Sequence, residues 1–229
     1  MSKYFFGIIF LFNFSAANAQ FWGGERILNQ ENFDKKRWSW GYFLGYNSYD
    51  FKFDYNRQTT DVKVEKVGGF NVGLIGNMRI NDYLDLRLEP GVIFANRNIS
   101  LVQGEEDSYR EVKSTYVHIP LLLKVSTKRL NNIKPFIVGG VSTSINLSSN
   151  EKNPDDNTAG QFRMKTNTYY YELGFGIDLY LYYFKFTPSI RGVFALSDEL
   201  VPDNNPESPY TRHIDKMATR GVFINFTFQ

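Results

Sequence analysis

Leu84-Asp85-Leu86-Arg87-Leu88-Glu89-Pro90-Gly91-Val92-Ile93-Phe94-Ala95 separates into two interleaved sets. Leu84, Leu86, Leu88, Pro90, Val92 and Phe94 form an apolar set. Asp85, Arg87, Glu89, Gly91, Ile93 and Ala95 form the other, which begins with three charges. A β-strand sends successive side chains to opposite faces, so this stretch is a strand with one oily face and one charged face. The same two-residue period returns along the chain in segments of about ten residues, as expected of strands that cross a bilayer.

Eight such strands are expected, at about Trp38–Asp54, Val67–Arg79, Tyr83–Arg97, Ser114–Ser126, Lys134–Leu147, Thr168–Leu179, Phe184–Leu196 and Met217–Phe228. The connections alternate in length. Tyr55–Lys66, Asn98–Lys113, Ser148–Asn167 and Ser197–Lys216 are long, whereas Ile80–Asp82, Thr127–Ile133 and Tyr180–Tyr183 are shorter. With antiparallel strands, all long loops then share one rim and all short turns the other. The expected fold is all-β: an eight-stranded antiparallel transmembrane up-and-down β-barrel with long extracellular loops and short periplasmic turns. Trp38, Trp40, Tyr83, Tyr180, Tyr182, Tyr183, Phe226 and Phe228 fall toward the short-turn rim, and Tyr49, Phe51, Phe70, Tyr116 and Tyr169 toward the other. Two aromatic belts suit a bilayer with two interfaces. A soluble sandwich or lipocalin-like barrel would also alternate, but it would have no need of belts and would have to bury its charges.

The totals agree with strands that span. The chain has 229 residues, 21 of them Phe and 15 Tyr. Mean hydropathy is slightly negative, as expected where only alternate residues touch lipid. There is no cysteine, which excludes a disulfide scaffold, a thiol nucleophile and a lipid anchor on Cys. A formal charge of +2 gives no basis for nucleic-acid binding.

The N-terminus divides before the first strand. Lys3, the apolar run Tyr4–Phe14 and Ala17-Asn18-Ala19 read as a signal peptide over residues 1–19, cleaved before Gln20. Residues 20–37 form a polar leader, placed in the periplasm with both termini, and residues 38–229 the barrel in the outer membrane.

A barrel of eight strands is filled by side chains, and charges inside must be paired. Asp85, Glu89, Glu172 and Asp178 with Arg87, Lys124 and Arg191 are the candidate inner network. His118 is inward on its strand, whereas His213 lies in a loop. Pro120 occupies the position where an outer-membrane acyl-hydrolase would carry its serine two residues after the histidine. Glu105-Glu106-Asp107 and Asp155-Asp156-Asn157 match no defined calcium loop. No catalytic residue, cofactor, metal or small-molecule substrate is indicated.

Two stretches, His118-Ile119-Pro120-Leu121-Leu122-Leu123-Lys124 and Lys134-Pro135-Phe136-Ile137-Val138-Gly139-Gly140, resemble the small outer-membrane β-barrel proteins of the Bacteroidota. Three others are more specific: Glu31–Tyr42, Pro188–Phe194 running on through Asp198–Asp203, and Ile214–Phe223. Together they resemble the PorT family of the type IX secretion system. That resemblance implies a non-enzymatic role in exporting cargo with C-terminal sorting domains, and in gliding motility where it occurs. It implies other type IX components as partners, beside outer-membrane lipid, and it assigns no catalytic residues. The expected contact surfaces are the leader, with Glu31, Asn32, Phe33, Asp34 and Arg37, and the loops Ser148–Asn167 and Ser197–Lys216. The alternatives are a generic structural barrel or small pore, and a membrane-embedded lipid A or peptide hydrolase.

Overall fold

The computed structural model describes residues 27–56, 62–100 and 109–229. The expected signal segment 1–19, the first leader residues 20–26 and Glu105–Asp107 lie outside the described residues. Nine strands form one sheet: β1 Trp38–Tyr55, β2 Lys63–Arg79, β3 Leu84–Leu88, β4 Gly91–Ser100, β5 Tyr109–Ser126, β6 Ile133–Asn146, β7 Asn167–Tyr180, β8 Lys185–Ala195 and β9 Ile214–Phe228. All pairings are antiparallel. They run from β1 through β9, β8, β7, β6 and β5, and β1 also pairs with β2.

This corrects the expectation of eight even strands in an up-and-down barrel. The described residues form nine strands, and the ring of hydrogen bonds does not close evenly. Between β2 and β5, the two short strands β3 and β4 stand where one was expected. The register is the same on both sides of the interruption: Leu88 faces Leu121, and Gly91 faces His118. The cause lies in two prolines, Pro90 in the gap itself and Pro120 on β5 beside it. Neither has an N–H to give the ladder. Only single bonds cross there, Glu89 N donating to Pro120 O (3.2 Å) and Leu74 N to Pro90 O (2.9 Å). Side-chain alternation nevertheless continues through the gap, with Asp85, Arg87, Glu89, Ile93 and Ala95 all buried.

The outer face is apolar over a band of limited height. On β1 it runs through Trp38, Trp40, Tyr42, Leu44 and Tyr46, and on β7 through Tyr169, Tyr171, Leu173, Phe175 and Ile177. Such nine-residue stretches are the length a tilted membrane strand needs. β1 has 18 residues, about 60 Å at ~3.3 Å per residue, so its far end rises well beyond the band. There the outward residues become ion pairs: Lys52–Asp54, Lys63–Glu65, Lys66–Asp50 and Glu111–Lys113.

The belts need a correction too. Trp38, Trp40, Tyr83, Tyr182 and Tyr183 are exposed at the short-turn rim, and Phe70 and Tyr169 at the upper edge of the band. Tyr49, Phe51, Tyr116 and Tyr180 instead point inward and are buried. These four occupy the inward phase of their strands, where aromatic bulk fills the interior rather than anchoring an interface.

Candidate functional site

The interior is occupied in layers. Nearest the short turns, Asp178 of β7 is paired with Lys124 of β5, accepts a hydrogen bond from Thr187 Oγ1 at 2.8 Å and has Lys185 Nζ at 3.9 Å. The Lys124 ammonium also lies 4.3 Å from the centre of the Phe136 ring. Asp85 faces Lys124 across the β3–β5 ladder; among the described residues it makes no ion pair within 4.0 Å.

The next layer centres on Arg191 of β8. It donates to Glu89 Oε2 at 2.7 Å, and its Nε lies 2.8 Å from Glu172 Oε2, an ionic contact whose angle does not suit a hydrogen bond. Arg87 Nε approaches Glu89 Oε1 at 3.4 Å. All of these groups are buried. Unpaired buried charge is costly, so each depends on its neighbours on other strands.

His118 completes this layer. Its Nε2 lies 2.8 Å from Glu172 Oε1 and its Nδ1 lies 2.6 Å from Ser144 Oγ. A carboxylate can only accept, so the neutral ring carries its proton on Nε2, and Nδ1 accepts from the Ser144 hydroxyl. The side chains are those of a nucleophile, base and acid. They are also sealed: Ser144 is 1 % exposed and Glu172 2 %. Tyr170 and Phe223 pack edge-on against the imidazole. Sealed among the described residues, the set ties three strands together.

Above it lies an aromatic layer of Tyr49, Ile93, Ala95, Tyr116, Tyr170, Val193 and Phe223. Arg97, fully buried, sits over this layer. Its guanidinium is 3.9 Å from the centre of the Phe51 ring, and it donates to Tyr116 Oη and to Thr219 Oγ1 (3.1 Å). Thr219 passes the contact on, donating from N and Oγ1 to the Glu199 carboxylate at 2.9 and 2.8 Å. Burial raises the Glu199 carboxyl above the ordinary range, against the opposing pull of Arg97 and the Thr219 hydrogen bonds.

The long loops close the far mouth. Phe162 and Met164 from residues 147–166 and Leu200 from residues 196–213 join Phe51, Val62, Ile99, Val112, Ile214 and Met217 in an apolar cluster. Met164 and Leu200 form a β-bridge. Asp203 locks the two loops together by accepting from Asn157 N, Asn157 Nδ2 and Ser208 Oγ. Glu151 accepts from Thr166, and that hydrogen bonding holds its carboxyl below the usual range.

The leader closes the other mouth. Residues 27–37 include a 3-10 turn at Phe33–Lys35. Arg129, in the β5–β6 turn, donates to the carbonyls of Asn29 and Gln30 and lies 3.7 Å from the centre of the Tyr180 ring. Tyr180 Oη donates to Asp34 at 2.6 Å, and Lys185 Nζ stands 4.4 Å from the centre of the Phe33 ring. The expected contact residues therefore divide. Phe33 and Asp34 are bound to the strand rim, whereas Glu31, Asn32 and Arg37 are exposed.

Six of the seven charges read from the alternation form contacts with one another or with inward neighbours. Arg97, Ser144 and Lys185 were missed. Ser144 shares no local pattern with His118 and meets it only because β5 and β6 pair at that register. Arg97 and Lys185 do sit in the inward phase, and that phase was the available signal. Among the described residues, no group of three or more His, Asp or Glu side chains is placed to hold a metal. No helix among them is long and apolar enough to cross a membrane, which says nothing about strands.

The family model described as outer membrane protein beta-barrel domain matches residues 11–201. No curated protein matches the chain. Among solved structures, the chain is similar to the outer membrane protein OprG from Pseudomonas aeruginosa, with 14% identity over 82% of this chain and 95% of that one at a TM-score of 0.46. It is also similar to Neisserial surface protein A, with 8% identity over 84% and 98% at 0.48.

Proposed function

We propose, from the premise that this chain belongs to the outer membrane protein beta-barrel domain family, that it is a non-conducting outer-membrane scaffold acting in type IX protein secretion through contact. The observation that carries the non-conducting part is the sealed interior. Among the described residues, a leader bound across one mouth, a charged and aromatic filling, and a joined loop cap leave no continuous path. A scaffold of this kind serves export by touching partners, not by passing cargo. The type IX assignment is supported by the three sequence stretches, at residues 31–42, 188–203 and 214–223. The family comparison supports the coarser reading, a generic outer-membrane β-strand protein.

On this reading the short-turn rim and both termini face the periplasm. The exposed side of the leader, with Glu31, Asn32 and Arg37, is the partner surface there. The long-loop cap is the surface outside the cell. A hydrolase is disfavoured by the burial of Ser144, His118 and Glu172.

The test is the culture-supernatant proteome of an in-frame deletion beside its parent. Selective loss of proteins with C-terminal sorting domains, restored by complementation, is the expected result. An unchanged secretome would remove the secretion assignment and leave a structural outer-membrane protein.

A further inference from the structure

The outer face has a hollow in its apolar band. Gly76 of β2 faces Trp40 of β1 on one side and Leu88 of β3 on the other, and Leu88 faces Leu121 of β5. Gly76 has no side chain, which lets the Trp40 ring lie flat across its position and leaves a hollow beside that ring. A Cβ on Gly76 would stand 2.8 Å from the ring. The result is a cavity of about 330 Å³ walled by Trp38, Trp40, Leu74, Met78, Leu88 and Leu121. That volume lies at the small end of ligand sites.

Met78 also lines a second cavity, of about 470 Å³, at the short-turn rim. Its lining includes Lys35, Arg37 and Arg79 and, among the described residues, contains no carboxylate. Arg79 reaches out to Asp82 beside it. Among the described residues, Lys35 and Arg37 have no ion-pair partner.

We propose that the two cavities form one binding site for an anionic glycerophospholipid. One acyl chain lies in the hollow between the Trp38 and Trp40 rings and Leu74, Leu88 and Leu121, and the phosphodiester lies against Lys35, Arg37 and Arg79. The order along β2 is apolar, then cationic, which matches chain and then headgroup. The hollow opens within the band that faces hydrocarbon, so an acyl chain reaches it without crossing water. The stacked Trp38 and Trp40 rings, 6.2 Å apart, stand at the depth where such rings favour the interface. A transmembrane strand of a partner fits less well, because β2 is already paired with β1 on one side and with β3 and β4 on the other. The inference rests on the outer-membrane placement and not on the secretion role, with which it shares only Arg37.

The test uses the full chain, purified in a non-ionic detergent, with native mass spectrometry of lipid retained from equal concentrations of dioleoyl phosphatidylglycerol and dioleoyl phosphatidylcholine. One phosphatidylglycerol should be retained per chain, with a preference on the order of tenfold, as expected for a few basic groups at a membrane surface. The double variant K35Q/R37Q should lose that preference while keeping its gel heat-modifiability. Gly76→Leu should lose retention of both lipids. Should Gly76→Leu fail to fold, the charge variant still decides. Equal retention of the two lipids by the parent protein, or an undiminished preference in K35Q/R37Q, would overturn the site and leave the secretion reading untouched. A changed secretome in the deletion strain would bear only on the latter.

Discussion

The Arg129 guanidinium lies 3.7 Å from the centre of the Tyr180 ring, and both residues hold the leader: Arg129 through two of its carbonyls, Tyr180 through Asp34. The leader is thus fastened to the β5–β6 turn and to the end of β7. Arg129→Ala should release residues 27–37 without unfolding the strands. The expected readout is tryptic cleavage at Lys35 to Arg37 in the folded protein, faster by about tenfold, corresponding to a local loss of ~1.4 kcal/mol. Unchanged cleavage would mean that the fastening lies elsewhere.

Arg191 joins Glu89 and Glu172, carboxylates from the β3–β4 gap and from β7. Arg191→Met leaves both without their main cation. Breaking a buried pair from one side costs roughly 3–5 kcal/mol, so urea unfolding in lipid vesicles should shift by about that much. A shift below about 1 kcal/mol would show that water or protons satisfy the site.

Ser144→Ala tests the sealed histidine set. Loss of one hydrogen bond from a hydroxyl should cost about 1 kcal/mol of stability. Secretion, and any lipid or peptide hydrolysis measured beside it, should stay at the parental level. A selective loss of hydrolysis at normal protein abundance would reopen the enzymatic alternative.

Glu199 makes the cap pH-dependent in a defined direction. Its folded pKa is raised by burial, so the folded state favours the protonated form. That contribution is fully present below the unfolded value of about 4.3 and is lost as pH rises through the raised value. Glu199→Gln should therefore stabilise the residue 196–213 loop at neutral pH and flatten its pH response. Protease resistance of that loop between about pH 4 and 8 would show it; a variant less stable at pH 7 and above would contradict the sign.

The interior also predicts electrical silence. Reconstituted protein should show no steady conductance in planar bilayers, because Phe162, Met164 and Leu200 cap one mouth and the leader the other. Stable open levels in the parent protein would contradict the sealed interior.

The two-residue period was readable in the sequence because burial acts on each residue of a strand in turn. It located most of the strands and gave an inward phase on each, so Asp85, Arg87, Glu89, Lys124, Glu172, Asp178 and Arg191 could be read as one inner set, although Tyr49, Phe51, Tyr116 and Tyr180 in that same phase were assigned to belts. The period carries no information about partners. Ser144 meets His118, and Arg97 reaches Glu199 through Thr219, only through the register of distant strands. The even eight-strand ring failed at Pro90 for a related reason. One proline in a strand is tolerable, but its effect here depends on Pro120 lying one rung away on β5, opposite Glu89, and no local window contains both.

By itself, then, the sequence determined the strand period, the sidedness of each strand and the alternation of long and short connections, because these follow from local burial and turn chemistry. Only the tertiary structure decided the split of the third segment, the pairing of the buried charges and the binding of the leader across the rim. Each of those depends on which residues the antiparallel register brings within a few ångströms, a property of strands in pairs rather than of any strand alone.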